Sequence, residues 1–408
     1  MSNKVVWIIN QYASTPDVGM GGRHFYLSRE LVKQGLTVYV IASSYTHLHR
    51  DPPEVKDKHL EQVIDGVNYI WLKMPKYSDA HSKQRILNWF LFAWKLLALG
   101  KIIRDRPDAI LFSSPSLVGF LGARALSKRF RCKLAFEVRD IWPLTFIKIG
   151  GFSKKHPFII FMQFIERYAY KRADVVISNL KNAVEHMMLQ KMHPAKFSWI
   201  PNGVSFNEVQ SPDLLPLNVI NSIPKDKFIV GYTGTLGVAN ALEYFVDAAD
   251  QLKSISDICF VMVGDGKERS TLESQVIDKK LDNVVFIESV KKSQVQSLLK
   301  CFDVCYIGWR DEDIYKYGIA PNKLPEYMYA EKPIVHSFSG GGDYVIESGC
   351  GLTVPAEDSQ AIAIAIKKLY CLKNVDRLEM GRKGHEFVLN NLEYGDLAHK
   401  LSEVLLRY

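Results

Sequence analysis

The sequence predicts an α/β protein of two doubly wound, Rossmann-like parallel-sheet domains facing a central cleft. Three observations carry this expectation. The chain has 408 residues, more than one hydrophobic core accommodates. Short apolar strand patterns alternate with helical ones, which is the signature of βαβ units and of a parallel sheet covered on both faces. The alternation breaks once, at the Pro201-Asn202-Gly203 turn and the three prolines of residues 211–224, and then restarts. A composition of 47% hydrophobic and 24% charged residues is that of a folded globular chain, and no low-complexity tract or repeat interrupts it.

Taken in order, Lys4–Ile9 reads as the first strand. A glycine-containing loop (10–22) follows, then a helix from about Arg23 to Lys33, stopped by Gly35, and a second strand at Thr37–Ser43. Further strands are expected at Val67–Leu72, Ala109–Phe112, Lys133–Val138, Val175–Ser178 and Phe197–Ile200. After the break, strands are expected at Phe228–Tyr232, Cys259–Val263, Val284–Ile287, Val304–Ile307 and Ile334–Phe338, separated by helices of about 10 to 14 residues. Ligands of such sheets bind beyond the carboxyl ends of the strands, so the loops there are where a site is sought.

Net charge is +8 and unevenly spread: residues 1–200 hold 30 Lys+Arg against 15 Asp+Glu (+15), and residues 201–408 hold 22 against 29 (−7). A basic half is expected to meet an anionic surface, and charge alone allows nucleic acid or anionic lipid. Residues 82–106 and 156–172 are rich in aromatic residues with lysines and arginines at their ends. They are too short and charged to span a bilayer, and read either as interfacial helices or as core helices. The N-terminus enters a strand without a leader-like segment, so the chain is read as cytoplasmic. The six cysteines show no pairing or metal-ligand pattern.

The most informative stretch is residues 316–332. The turn formers Gly318 and Pro321 precede a helix opening near Asn322 or Lys323, so backbone N–H groups and the Lys323 ammonium would face an anion. Glu326, one turn on, can accept from a hydroxyl. A phosphate beside a sugar hydroxyl describes a nucleotide sugar. Gly21, Gly22 and Arg23 form a loop-to-helix anion motif that lacks the dinucleotide spacing. Glu137-Val138-Arg139-Asp140 ends a strand with unusual polarity: Asp140 could orient or deprotonate an acceptor hydroxyl and Arg139 could hold a phosphate, or the group could be a structural ion pair. Gly234 and Thr235, within Gly231–Gly237, form a backbone-rich diphosphate loop, and Gly264 and Gly266 turn at the end of the next strand. Asp311-Glu312-Asp313 reads as a solvated loop, and no histidine set supports a metal.

These segments, strongest at 137–143, 201–203 and 316–333, together resemble bacterial family-4-type glycosyltransferases of the GT-B fold. The Ala320-Pro321-Asn322-Lys323 variant resembles the surface-polysaccharide, N-acetylfucosaminyl-transferase-like subgroup. The resemblance implies an acceptor-binding domain at 1–203, a nucleotide-sugar domain at 204–385, and a terminal helix, 386–408, returning to the first domain. It implies donor contacts from Gly21, Gly22, Arg23, Gly234, Thr235, Gly264, Gly266, Val290, Pro321, Asn322, Lys323 and Glu326, with Glu326 on the ribose, and catalytic roles for Asp140, Arg139 and Lys323. Two departures stand out: Gly318 occupies the place of the family's first glutamate, and no basic residue lies between Lys227 and Lys253. The implied activity is retaining transfer from a UDP-sugar to a lipid-linked saccharide at the inner membrane face, in O-antigen or capsule synthesis. Neither cofactor, metal nor nucleic acid is expected. The alternatives are a nucleotide-sugar 2-epimerase and a non-catalytic membrane-docked subunit.

Overall fold

The structure, a computed structural model, describes residues 4–19, 22–78 and 82–407. It divides into two compact units, Met1–Pro201 with Tyr394–Tyr408, and Asn202–Glu393. Among the described residues the first unit carries eight strands: β1 (Val5–Ile9), β2 (Thr37–Ser43), β3 (His59–Ile64), β4 (Val67–Leu72), β5 (Ala109–Ser113), β6 (Lys133–Val138), β7 (Val175–Ser178) and β8 (Phe197–Trp199). Their order across the sheet is β3-β4-β2-β1-β5-β6-β7-β8. All pairings are parallel except β3 with β4, a hairpin closed by Asp65 (φ 48°) and Gly66 (φ 79°). The second unit holds β9 (Phe228–Thr233), β10 (Ile258–Val263), β11 (Val284–Ile287), β12 (Val304–Gly308), β13 (Ile334–Ser337) and β14 (Gly351–Val354). It is parallel throughout, ordered β11-β10-β9-β12-β13-β14.

Both sheets are doubly wound. The chain reverses its direction of travel across the sheet between β1 and β5 in one unit, and between β9 and β12 in the other. The crevices at those points lie beyond the carboxyl ends of β1, β5, β9 and β12, where ligands of such sheets bind. The central strands are buried on both faces: Val6, Trp7, Ile8 and Ile9 on β1, and Val230 and Tyr232 on β9, are closed to solvent.

Residues 386–391 finish the Asn374–Asn391 helix, which belongs to the second unit. It packs on the Lys323–Tyr329 helix and on the turn that follows, where a Cβ on Gly381 would lie 1.9 Å from the Glu331 carbonyl oxygen. The Tyr394–Leu406 helix alone joins the first unit. It buries Tyr394, Leu397, Leu401 and Leu405 in that core, with the Tyr394 ring stacked on Tyr26 at 5.0 Å.

Candidate functional site

The candidate site of the second unit begins with two turns that lie on one another. Gly234 follows β9 and Gly264 follows β10, both at positive φ (137° and 146°). A Cβ on Gly264 would fall 2.0 Å from the Gly234 carbonyl oxygen, and one on Gly266 would fall 2.1 Å from that of Leu236. Backbone bonds stitch the layers: Gly234 N–H donates to Val263 O at 3.0 Å and Leu236 N–H to Asp265 O at 2.9 Å. Both glycines of the second turn are therefore demanded by backbone contact within the protein. Gly264→Ala is expected to destabilise the second unit by about 2–4 kcal/mol, read as a lowered thermal midpoint, because clash and strained φ add.

Lys323 completes this wall. Its Nζ donates to Tyr232 Oη at 2.7 Å and to Asn240 Oδ1 at 3.2 Å, and lies 4.2 Å from the centroid of the Tyr232 ring. Tyr232 Oη passes the chain on to the Thr235 carbonyl at 2.7 Å, and Asn240 Nδ2 donates to that same carbonyl at 3.0 Å. An ammonium has three N–H donors, so one remains beyond these two neutral partners. Among the described residues no carboxylate pairs with Lys323. The side chain is half-buried and crowded by protein atoms, and this desolvation pushes its pKa down to about 7. The helix behind it is braced from the core: Tyr327 Oη accepts from Thr233 N–H at 2.9 Å and donates to Thr233 O at 3.0 Å.

The helix tip itself is weaker than the sequence suggests. Lys323–Tyr329 has seven residues, and Pro325 removes one donor from its first turn. Asn322 caps nothing with its side chain; its Oδ1 accepts from Asn202 Nδ2 at 3.0 Å, and Asn202 also donates to Ala320 O at 2.7 Å. The positive charge at this edge thus comes from Lys323 more than from the helix. Asn322 is exposed and Pro321 half-exposed, so the tip is open. Glu326, one turn on, is held by the Lys292 ammonium. Desolvation lowers Lys292 to about 8, opposed by the charge of Glu208. Val290 lies between β11 and Lys292, half-exposed. Gly318 sits at φ 102°, a conformation an L side chain rarely adopts, so the missing family glutamate is written into the backbone.

In the first unit, Arg23 is not available to a ligand, against the reading of it as a phosphate contact. Its side chain is 2% exposed, and its Nε and Nη2 hold Glu137 Oε1 at 3.0 and 2.9 Å. Its remaining donors reach the carbonyls of Pro201 and, at 2.8 Å, Ile200. Glu137 also takes His24 Nε2 at 2.8 Å and Ser113 Oγ at 2.6 Å on its other oxygen. Burial alone would raise the Glu137 carboxyl, but Arg23 and His24 hold it well below the usual range. Burial lowers the His24 imidazole, and the Glu137 carboxylate opposes that shift. The charged cluster at the end of β6 is therefore a structural ion pair at Glu137. Gly22 is needed for packing, since a Cβ there would strike the Tyr26 ring at 2.3 Å; Gly21 lies outside the described residues.

Arg139 and Asp140 remain beyond that knot. The Arg139 N–H donates to Ser114 Oγ at 2.9 Å, while its buried Nε has no hydrogen-bond partner. Asp140 is exposed; nearby protein atoms raise its carboxyl and Arg139 draws it down, a shift that the solvent access weakens. The two units thus hold separate groups: Gly234, Thr235, Gly264, Gly266, Lys323 and Glu326 in one, Arg139 and Asp140 in the other. Sequence reasoning missed Tyr232, Asn240, Lys292 and His24. Of these, only Tyr232 carried a signal, as a phenol ending a strand beside a glycine turn. Among the described residues no cluster of His, Cys, Asp or Glu could hold a metal ion.

Residues 19–208 match the Glycosyltransferase Family 4 model and residues 227–371 the Glycosyl transferases group 1 model. The chain belongs to the family-4 glycosyltransferases of the GT-B fold. It is 24% identical over 230 residues to Escherichia coli WcaI, whose name assigns it to colanic acid biosynthesis as a glycosyl transferase. That match spans 55% of each chain, about half the length of the relative. The fold is shared with sucrose-phosphate synthase of Thermosynechococcus elongatus (19% identity, TM-score 0.75, 98% of both chains). It is also shared with Anabaena HepE in complex with UDP (14% identity, TM-score 0.66, 98% of this chain and 99% of that one).

Proposed function

We propose that this family-4 chain is a retaining, metal-independent glycosyltransferase that takes a UDP-linked sugar, of the N-acetylamino class, and delivers it to a lipid-linked saccharide in surface-polysaccharide synthesis. One observation carries the reading: an ammonium held by two neutral partners over a glycine turn at the topological switch point, with a donor left over. Such a group neutralises the charge that develops on a leaving diphosphate. Glu326 would take the ribose hydroxyls, exchanging part of its contact with Lys292. Asp140 would orient the acceptor hydroxyl, and the Arg139 guanidinium would meet an acceptor phosphate. The UDP held by HepE and the naming of WcaI for colanic acid support donor and pathway class by likeness.

The test is turnover of a panel of UDP-sugars with and without lipid-linked saccharides. Product that requires the acceptor supports the proposal. A C2 epimer formed without acceptor would favour an epimerase, and UDP binding with neither product a non-catalytic subunit. On calorimetry, Glu326→Ala is expected to weaken UDP about tenfold, the size of one to two hydrogen bonds to a charged group; unchanged affinity removes the ribose role.

A further inference from the structure

The first unit carries unmet hydrogen bonds along one edge of its sheet. Four neighbouring strands, β1, β5, β6 and β7, are each followed by a buried polar atom that has no partner among the described residues. These are Gln11 Oε1 after β1, Ser116 Oγ after β5, Arg139 Nε after β6 and Asn179 Oδ1 after β7. Gln11, Ser116 and Asn179 are no more than 4% exposed. Other unpaired atoms, such as Trp7 Nε1 and Tyr69 Oη, lie inside strands. These four share the carboxyl edge, where ligands of such sheets bind. Buried polar groups are normally paired, so a row of four without partners points to one supplied from outside the chain.

The strand ends are tied side by side. Asn10 Nδ2 donates to Ser114 O at 3.0 Å, Arg139 N–H to Ser114 Oγ at 2.9 Å, and Ser178 Oγ to Val138 O at 2.7 Å. The neighbours of Gln11 and Asn179 in sequence thus do the structural bonding. Gln11 itself gives the protein only its Nε2, in a long contact of 3.5 Å with the Asn88 carbonyl. Three strand intervals separate β1 from β7, so the row is about 14 Å long. Its chemistry names its occupant. The Gln11 and Asn179 oxygens accept and cannot donate, the Ser116 hydroxyl does both, and the Arg139 Nε–H donates. A run of hydroxyl groups, each a donor and an acceptor, satisfies all four, and the row outruns a single pyranose ring.

We propose that this edge is an oligosaccharide subsite: the acceptor is recognised through at least two sugar residues laid across the ends of β1, β5, β6 and β7, its hydroxyls meeting Gln11, Ser116 and Asn179. The inference rests on the acceptor role given above to Arg139 and Asp140, and adds the length and hydroxyl character of what they receive. The test applies the full chain, with UDP present, to a printed array of mono-, di- and trisaccharides. Binding is expected to longer sugars and not to single ones. Gln11→Met and Asn179→Leu are each expected to weaken it about tenfold, the size of one hydrogen bond, and Ser116→Ala severalfold. The thermal midpoint should hold or rise in Gln11→Met and Asn179→Leu, because each removes an unpaired buried oxygen, whereas a residue that only supports the fold would lower it. UDP affinity should hold in all three variants. Single sugars held as tightly as longer ones, binding to no sugar, or binding that ignores these substitutions overturns the proposal. Its failure is separable from that of the transferase reading. Sugar binding without transfer leaves the subsite standing, and transfer to a lipid-linked monosaccharide with a KM no higher than that of a longer acceptor overturns the subsite alone.

Discussion

Lys323→Met is expected to lower sugar transfer about 10²- to 10³-fold, the cost of removing one preorganised charge from a leaving oxygen, while leaving the fold intact. The stability half of this expectation follows from the pKa. In the folded chain burial pushes the Lys323 pKa down to about 7 from the ordinary lysine value of 10.5. The unfolded chain therefore binds more protons between those values, and this residue's contribution to stability rises with pH across that window. Removing it at pH 7 should leave the thermal midpoint unchanged or raised, whereas a residue that merely holds the fold together would lower it. Binding has the opposite sign. The ammonium predominates only below pH 7, a bound diphosphate favours it, and affinity for UDP should decline as pH rises from 7 toward the bound-state value. Calorimetry between pH 7 and 9 reads that decline. In Lys323→Met that decline should largely disappear. An undiminished decline in the variant would assign the titrating group elsewhere.

The fold was legible because buried parallel strands are short apolar runs, and most of them stand out between helices. The two strands left unread lack that mark. In β3, residues Glu61 to Val63 face solvent at the sheet edge, so its pattern is polar, although the Asp65-Gly66 pair signals the hairpin. In β14, Gly351-Leu352-Thr353-Val354 is too short to separate from a turn. The sequence carried a local signal at Gly234 and Gly264, glycines that follow strands, and at Lys323, which opens a helix after a Gly/Pro turn. It misled where charge stood in for exposure. Arg23 follows a glycine loop, as a phosphate ligand would, but its partner Glu137 lies 114 positions away and closes it off. Tyr232 and Asn240 were missed for the converse reason. They are neutral, and their importance is that they hold a cation 91 and 83 residues distant without neutralising it.

The second large effect is expected at that same Arg23–Glu137 pair. Glu137→Gln should cost the first unit about 3–5 kcal/mol, because it strands a guanidinium whose side chain is 2% exposed. For a unit of this size that is a fall in thermal midpoint of roughly 10 °C. Glutamine keeps the volume and one acceptor oxygen, so the loss measures charge pairing and not a cavity. The double variant Arg23→Met/Glu137→Leu should recover part of it, since replacing both partners by apolar groups abolishes the stranded charge. Acid should mimic the single variant by two routes with one sign. Burial lowers the His24 imidazole, so its share of stability fades as pH falls below 6.5, where the unfolded imidazole takes a proton. Glu137 is held ionised, so its share is present above the unfolded value of 4.5 and is lost as pH falls further toward its own depressed value. Wild type should therefore lose stability in two stages below pH 6.5, and Glu137→Gln should lack the lower one. Chemical unfolding at pH 7, 5.5, 4.5 and 3.5 reads both stages; an equal loss in the two proteins between pH 4.5 and 3.5 would show that the carboxylate is not the group that anchors this corner of the sheet.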